Sequence, residues 1–187
     1  MLREKEKEIG KKIMELKQEL AKAREAEPLV PIQDYELLTA QGPKPLSSFF
    51  GEHDDMILIH NMGKACSYCT LWADGLNAYL PHLSRRAAVL FVSPDDPATM
   101  AETAKFRGWN FTMATDATHE MTDELGFWVE GGADPGVSAL VRKGDGVMHK
   151  NSTYFGPGDD FCAVWPLLEL LDGGAEGWEP REANEPA

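Results

Sequence analysis

An apolar run in the middle of the chain, Met56–His60, constrains the fold more than any other feature. Its three central residues are Ile-Leu-Ile, which is typical of a strand that is covered on both faces. A loop over residues 61–65 follows, and the spacing of apolar residues then predicts a helix from Cys66 to Leu83. A doubly covered strand that leads into a helix indicates a layered α/β domain.

The remainder of the chain continues this alternation of strands and helices. Further strands are predicted at Ala87–Val92, Phe111–Ala114, Val137–Val141 and Val147–His149, and further helices at Ala98–Arg107, Thr118–Phe127 and from Asp159 or Asp160 to Leu171. The last two strands flank a Lys-Gly-Asp-Gly turn and form a β-hairpin. We therefore predict a mixed central sheet, parallel at first and antiparallel at one edge, with helices on both faces.

The two ends of the chain differ from this central region, which we place at residues 28–171. Residues 1–27 are predicted to form a helical extension with one apolar stripe, made by Leu2, Ile9, Ile13, Leu16 and Leu20. The stripe either packs on its own domain or forms a seam with a second subunit, and the sequence leaves both open. Residues 172–187 are predicted to be an acidic tail that Trp178 anchors.

The charge of the chain excludes some classes of partner. The 187 residues carry a net charge of −13, although the first 25 hold eight basic and six acidic side chains. An acidic surface repels phosphate backbones and anionic lipids, so we expect neither nucleic acid nor a membrane as partner. No apolar run is long enough to cross a bilayer, and the charged start lacks an apolar export core. We expect a cytoplasmic protein.

The chemistry of the chain is concentrated in a pair of cysteines, Cys66 and Cys69, at the start of a helix. Backbone N–H groups and the helix dipole at that end favour thiolate over thiol, so Cys66 is the predicted nucleophile. Cys69, one turn further, is the predicted resolving thiol. Lys64 either assists the ionisation of Cys66 or is an ordinary solvated charge. Because two sulfurs carry the electrons, no cofactor is expected.

A zinc site is the competing interpretation of such a cysteine pair, and it requires two further ligands. The third cysteine, Cys162, and the five histidines share no ligand spacing with the pair, so we expect no metal. Cys162 lies between Phe161 and Trp165, which favours a small buried apolar residue over a third redox partner.

The order of elements and several motifs resemble a known family. A strand, a CxxC at a helix start, a further strand and helix and a terminal hairpin resemble the thioredoxin fold, and the extra segment Phe111–Phe127 resembles its peroxiredoxin-like branch. The motifs CSYCTLWADGLN, RGW, ELGF, PGVSAL and YFGPGDDFCAVWPLLELL are similar to the family catalogued as domain of unknown function 899, whose members are predicted dithiol-disulfide oxidoreductases. The resemblance spans roughly residues 20–181 and implies a thioredoxin-like three-layer fold.

The resemblance also bears on individual positions. His60 occupies the position, six residues before Cys66, at which thioredoxins place a buried acid, which implies either a proton shuttle for the resolving thiol or a histidine satisfied within its strand. Val137-Ser138 stands where thioredoxins place a cis-proline before the hairpin. Ile59 and Gly63 stand where peroxiredoxins have proline and threonine, which disfavours dedicated peroxidase chemistry.

The sequence therefore predicts a thiol-disulfide oxidoreductase whose nucleophile is Cys66 and whose resolving thiol is Cys69. Its expected partners are a disulfide-bearing protein or low-molecular-weight thiol and a reductase or oxidant. The alternative is a non-catalytic or redox-sensing module that forms a homodimer through its N-terminal helix. A thiol-dependent peroxidase is the weaker alternative.

Overall fold

The computed structural model describes residues 3–182. Leu2, the first residue of the predicted apolar stripe, and the end of the acidic tail lie outside the described residues. The helices are α1 (Glu4–Ala26), α2 (Ser67–Leu83), α3 (Pro97–Arg107), α4 (Glu120–Glu124), α5 (Val164–Leu168) and a 3₁₀ helix (Leu46–Phe50). The strands are β1 (Val30–Ile32), β2 (Glu36–Thr39), β3 (Gly42–Pro45), β4 (Asp55–His60), β5 (Ala88–Ser93), β6 (Thr112–Thr115), β7 (Trp128–Val129), β8 (Gly132–Ala133), β9 (Gly136–Lys143) and β10 (Gly146–Tyr154).

Eight of these strands form one mixed sheet, in the order β1-β10-β9-β4-β5-β6-β2-β3. The central strands β4, β5 and β6 run parallel because the helices α2 and α3 connect them. The hairpin of β9 and β10 pairs antiparallel with β4, and β7 and β8 form a separate small hairpin. The predicted fold class, a thioredoxin-like α/β domain with a mixed sheet between helices, is confirmed.

Strand β4 separates two apolar cores because its side chains alternate between the faces of the sheet. Ile57 and Ile59 belong to the core with α2, α3 and α5. Met56 and Leu58 belong to the opposite core with the 3₁₀ helix and α4. His60 follows Leu58 by two residues and faces that second core, where its ring stacks on Phe127 with centroids 3.9 Å apart.

The structure corrects the bounds of four predicted elements, two helices and two strands. Helix α4 is shorter than the predicted Thr118–Phe127, because its N-cap and Gly126 both adopt left-handed backbone conformations. The final helix is also shorter, because Asp159 caps a separate turn by accepting from the N–H groups of Phe161 and Cys162. The hairpin strands β9 and β10 are longer than predicted.

Helix α1 makes few contacts with the remainder of the chain. Lys17 forms an ion pair with Asp160 at 2.6 Å, and Lys150 Nζ donates to the Glu25 carbonyl at 2.8 Å. Of the two alternatives that the sequence left open for its apolar stripe, the structure does not show packing on its own domain, because α1 contains no buried residue. Among residues 3–182, no helix is both long and apolar enough to span a membrane.

Candidate active site

The loop that leads into α2 is held by polar contacts at both of its ends. The Asn61 side-chain oxygen accepts from Gly63 N at 2.7 Å, and Lys64 N donates to the Asp95 carboxylate at 2.6 Å. Gly63 has φ +103°, and a Cβ there would lie 3.2 Å from the Asp95 carboxylate. Asp95 follows β5, and β5 is the parallel neighbour of β4, so both loops leave the same edge of the sheet. Together these contacts form a clamp on the loop, and the clamp positions Cys66, the residue that begins the helix.

Cys66 is the N-cap of α2. Its Sγ accepts a hydrogen bond from Cys69 N at 3.1 Å, which is the role that serine or aspartate usually has at this position. Its carbonyl accepts from the backbone N and the hydroxyl of Thr70 at 3.1 and 3.0 Å. The residue is half-buried, and Sγ lies 3.9 Å from the exposed Met62 thioether. Cys66, the predicted nucleophile, is thus held at a helix start with its side chain partly exposed.

Hydrogen bonds to its sulfur lower the pKa of Cys66 from 9.0 to about 6. The largest contribution is the Cys69 thiol, and the Cys69 and Tyr68 backbone groups add to it, while burial acts in the opposite direction. At pH 7 a thiol with this pKa is about 90% thiolate. Thiol-disulfide exchange requires a thiolate, and this direction of shift favours one at Cys66.

Cys69 has the opposite environment one turn into the helix. It is buried, and its thiol donates to the Cys66 sulfur. This hydrogen bond, burial and the negative charge of Cys66 all raise the pKa of Cys69, in that order. Both cysteines are free in the structure. The two environments therefore shift the pKa values of the two cysteines in opposite directions, down for Cys66 and up for Cys69.

The contact of Lys64 that the structure shows in this loop is made by its backbone N–H. Its side chain is exposed and is not among the groups that shift the pKa of Cys66. Its N–H donates to Asp95, as described above. The predicted electrostatic assistance from Lys64 therefore has no counterpart in these contacts.

His60 belongs to a polar chain on the other face of the sheet. Its Nε2 is hydrogen-bonded to Ser138 Oγ at 2.9 Å, Ser138 to Ser152 at 2.7 Å, and Ser152 to His149 at 2.7 Å. Burial, followed by the charge of His149, lowers the pKa of His60 to about 3, so the ring is neutral. The structure brings His60 to Ser138 and Phe127 and not to the cysteines, and its role as a shuttle stays a prediction.

The structure also shows the contacts of three other residues near the cysteine pair in the sequence or in type, Trp72, Asp74 and Cys162. Trp72 is buried in the aromatic core beside Phe155 and Trp165. Asp74 pairs with Arg107 and accepts from the indole of Trp109 at 2.8 Å, which joins α2 to α3. Cys162 is buried in the same core as Trp72, as the sequence predicted, and burial raises its pKa.

The segment that corresponds to the thioredoxin cis-proline is the start of β9. Ser138 is fully buried there, and its hydroxyl belongs to the chain that joins His60 to Ser152. No peptide bond in residues 3–182 is cis. Val137-Ser138 therefore has a strand geometry in place of a substrate-facing proline turn.

A groove of about 330 Å³ lies beside the first turns of α2. Its lining includes Ser67 and Thr70 of α2, Arg107 and Trp109, and Trp178 of the C-terminal tail. Trp178 is held by an edge-to-face contact with Trp165, with centroids 5.4 Å apart. Trp178, the anchor that the sequence predicted for the tail, thus also lines the groove beside α2.

Sequence reasoning missed the residues that position the site from a distance. In the sequence Asp95 belongs to the turn before α3, where its neighbour Asp96 caps the helix by accepting from Ala98 and Thr99 N. Met62 and Ser152 carried no recognisable signal. Within residues 3–182, no group of three or more histidine, cysteine or acidic side chains is placed to hold a metal ion.

Comparison with known proteins assigns the chain to a family. The model of a family described as "Bacterial protein of unknown function (DUF899)" matches residues 2–184. The chain belongs to this family. The resemblance stated from the motifs is therefore confirmed. No curated protein gives a significant match.

Solved structures of peroxiredoxins have a similar fold. Peroxiredoxin Q from Xanthomonas campestris, as a C84S mutant, has 18% identity and a TM-score of 0.55 over 65% of this chain and 80% of its own. Peroxidoxin BcpB from Mycobacterium tuberculosis has 19% identity and a TM-score of 0.52 over 66% and 86%. AhpC from Enterococcus faecalis has 15% identity and a TM-score of 0.55 over 69% and 81%. At these identities the similarity establishes the fold alone.

Proposed function

We propose that this protein is a thiol-disulfide oxidoreductase that uses Cys66 as nucleophile and Cys69 as resolving thiol. One observation carries the proposal: Cys66 Sγ caps α2, accepts from Cys69 N at 3.1 Å and has a pKa lowered to about 6, with the protonated Cys69 behind it. A buried structural cysteine has a raised pKa, as Cys162 does. The site therefore combines the ionisation, access and second thiol that disulfide exchange needs.

In the first step the Cys66 thiolate attacks one sulfur of a substrate disulfide. A Cys66–substrate disulfide forms, the substrate S–S bond breaks, and the other substrate half leaves as a thiolate that takes a proton from water. Partial exposure of Cys66 and the contact with the exposed Met62 support an approach from that side. The groove beside α2 is large enough for a small disulfide or a short peptide segment.

The second step follows from the coupling between the two cysteines. While Cys66 is a thiolate, its hydrogen bond and its charge keep the Cys69 thiol protonated. Once Cys66 is part of a mixed disulfide, both contributions disappear and the pKa of Cys69 falls. Cys69 then loses its proton to water and attacks Cys66, which forms the Cys66–Cys69 disulfide and releases the reduced substrate thiol.

The cycle closes when an external dithiol reduces the Cys66–Cys69 disulfide with two electrons and two protons. Such dithiols are maintained in the cytoplasm, which is where we place the reaction. An oxidant in the place of the dithiol would run the same exchange in the opposite direction.

Trapping the intermediate tests the proposal. Cys69→Ser, mixed with an aromatic disulfide that releases a coloured thiolate, is expected to retain one half of the reagent on Cys66, and intact-protein mass spectrometry measures the adduct. Cys66→Ser is the matched control and is expected to form no fast adduct at Cys69, because Cys69 is buried and protonated. Adduct formation at equal rates in the two variants would contradict the assignment of roles.

The pH dependence of alkylation gives a second, independent test. The rate at Cys66 is expected to rise with pH around a midpoint near 6, because the thiolate is the reacting form. Cys66 in the Cys69→Ala variant is expected to titrate at a higher pH, since the largest stabilising hydrogen bond is removed. A wild-type midpoint at 8.5 or above, near the ordinary thiol value of about 8.5, would exclude an activated nucleophile.

A thiol peroxidase is the second candidate, because the solved structures of peroxiredoxin Q and peroxidoxin BcpB have a similar fold. In that reaction the Cys66 thiolate attacks a peroxide, becomes a sulfenic acid and releases water or an alcohol, and Cys69 then forms the disulfide with loss of water. Stopped-flow measurement with hydrogen peroxide and with a disulfide separates the candidates. We expect the disulfide to be the faster substrate, because Gly63 offers no hydroxyl to position a peroxide.

A redox-sensing module without turnover is the remaining alternative. Its cysteines would form the same disulfide, but a chemical dithiol and a protein disulfide would give no multiple turnover. Insulin reduction with dithiothreitol, with and without this protein, distinguishes the two cases.

A further inference from the structure

Met62 is an exposed methionine whose sulfur contacts a cysteine sulfur. Its Sδ lies 3.9 Å from Cys66 Sγ, and 45% of the residue is exposed to solvent. The proposed function uses Met62 only as a neighbour of the nucleophile and assigns no chemistry to its sulfur. A thioether that is exposed in this way can be reached by an oxidant from solution.

The main chain of the same residue faces the second cysteine. The Cys66 sulfur, burial and the charge of Cys66 raise the pKa of Cys69, and the Met62 backbone acts against them. A backbone group lowers the pKa of a thiol by donating a hydrogen bond to its sulfur. The Asn61 side-chain oxygen closes the turn around Met62 by accepting from Gly63 N at 2.7 Å. The turn therefore holds Met62 against both cysteines.

This arrangement places a repair system beside an oxidisable group. Peroxides and hypohalous acids convert a thioether to a sulfoxide, and thiols can remove the oxygen again. At Met62 two thiols already lie beside the sulfur. We infer that Met62 is a reversible oxidation site whose sulfoxide is reduced by Cys66 and Cys69 of the same chain. The inference rests on the proposed function, because it uses the same nucleophile and the same resolving thiol.

Oxidation of Met62 takes place while the cysteine pair is a disulfide. In that state neither cysteine has a thiolate to intercept the oxidant. A peroxide then transfers one oxygen atom to the Met62 sulfur: the O–O bond breaks, the S–O bond forms, and water or an alcohol leaves. The sulfoxide persists until an external dithiol regenerates the two thiols.

Reduction of the sulfoxide takes two steps. In the first, the Cys66 thiolate accepts the oxygen: the Met62 S–O bond breaks, a Cys66 S–O bond forms, and a proton from water completes the sulfenic acid. In the second, the Cys69 thiol attacks Cys66, the disulfide forms, and the oxygen leaves as water with the Cys69 proton. Met62 is again a thioether, and the two electrons come from the dithiol.

Mass spectrometry of two methionines in the same chain tests the inference. The disulfide of the pair is formed with diamide, hydrogen peroxide oxidises the exposed methionines, catalase removes the peroxide, and dithiothreitol is added. Met14 is the matched control, because it is 58% exposed on α1, which contacts the domain at Asp160 and Lys150. At least one epimer of the Met62 sulfoxide is expected to disappear at least about tenfold faster than the Met14 sulfoxide, because proximity raises the effective concentration of the thiolate.

The outcomes separate this inference from the proposed function. Cys66→Ser, with its fold checked by circular dichroism, is expected to keep both sulfoxides. Loss of the Met62 sulfoxide no faster than that of Met14, equal loss in Cys66→Ser, or a Met62 that stays unoxidised while Met14 is oxidised would overturn the inference. If the same wild-type preparation still reduces an aromatic disulfide, the proposed function stands. If the disulfide of the pair does not form, both fail.

The Cys69→Ser variant tests which thiol takes the oxygen. Its Cys66 is first capped with one half of the aromatic disulfide, and dithiothreitol removes the cap after the oxidation. The Met62 sulfoxide is expected still to disappear, at a rate that rises with the concentration of dithiothreitol, because the reagent replaces Cys69 as the second thiol. Retention of the Met62 sulfoxide in this variant would overturn the assignment of oxygen transfer to Cys66.

Discussion

Two titratable side chains lie close together in the sequence, on either side of one loop, and fold on opposite faces of the sheet. Cys66 begins α2 and His60 ends β4, and the pKa of each is lowered. For Cys66 the cause is hydrogen bonds to the sulfur, which stabilise a charged thiolate. For His60 the main cause is burial, which disfavours the protonated, charged form of the ring. The same direction of shift therefore favours the charged form of the Cys66 thiol and the neutral form of the His60 ring.

The comparison shows that access and hydrogen bonding, and not the shift itself, distinguish a reactive group from a structural one. Cys66 is half-buried and open on the Met62 side, whereas His60 is 2% exposed. His60 also has an unpaired Nδ1 in the core, while its Nε2 is bonded to Ser138. We expect substitutions at the two positions to affect different measurements.

The largest expected effect is on turnover, which we expect to depend on Cys66 and not on His60. Cys66→Ser is expected to lower disulfide-reductase turnover at least about 1000-fold, because it removes the nucleophile. His60→Gln keeps a polar group toward Ser138 and is expected to stay within about threefold of the wild type. A tenfold or greater loss in folded His60→Gln, at an unchanged alkylation midpoint of Cys66, would support the shuttle that the resemblance to thioredoxins implied.

The next effect concerns the stability of the fold in acid. The folded pKa of His60, about 3, lies below the ordinary value of 6.5, so the unfolded chain binds the proton more readily. The free energy of unfolding is expected to fall as the pH drops from 6.5 toward 3, by up to about 1.4 kcal/mol for each pH unit. Urea titrations at several pH values measure this slope.

His60→Gln is expected to lose this part of the acid slope, and His149→Gln is the control on the same polar chain. His149 is less deeply buried, and its pKa is also lowered, so its substitution is expected to remove a smaller part of the slope. Parallel slopes in the wild type and His60→Gln would show that the ring is not held neutral by the core.

A smaller effect is expected at the clamp that positions Cys66. Asp95→Ala removes the acceptor of Lys64 N and is expected to raise the alkylation midpoint of Cys66 by about half a pH unit to one unit. Asp95→Asn retains an acceptor oxygen and lacks the charge, so its midpoint is expected to stay at or below that of the wild type. Equal increases in both variants would contradict a positioning role for the carboxylate.

The smallest effect is expected at the third cysteine. Cys162→Ala is expected to change turnover less than about twofold, because Cys162 is a buried residue of the core around Trp72 and Trp165. Steady-state insulin reduction measures the change, with thermal unfolding as the control for packing. A tenfold loss of turnover in a stable variant would make Cys162 a third redox partner.

Local patterns predicted most of the central fold. The apolar run of β4, the helix start at Cys66 and the glycine turn of the hairpin each depend on neighbouring residues, and all three are in the structure. The lengths of α4 and α5 were overestimated, because left-handed residues and a separately capped turn interrupt the helical spacing. Edge strand β1 was missed because its Pro-containing segment of three residues is held by β10 and not by its own pattern.

The cysteine pair could be predicted from the sequence, but the contacts that hold its loop in place could not. Asp95 is 31 residues from Lys64, and the contact exists only because β4 and β5 are parallel neighbours in a particular register. The face that His60 occupies follows from alternation with Met56 and Leu58. Which helix covers that face depends on how the chain crosses over the sheet, and no single segment contains that information.

Gly63 limits the ways in which this site can be altered. A side chain at φ +103° is strained in any case, and its first carbon would press on the carboxylate of Asp95. A threonine grafted at this position, to imitate the hydroxyl of a peroxiredoxin, would therefore displace the group that holds the loop. The graft would undo the placement of the very sulfur it was meant to assist, so an added hydroxyl has to reach that sulfur from a different segment of the chain.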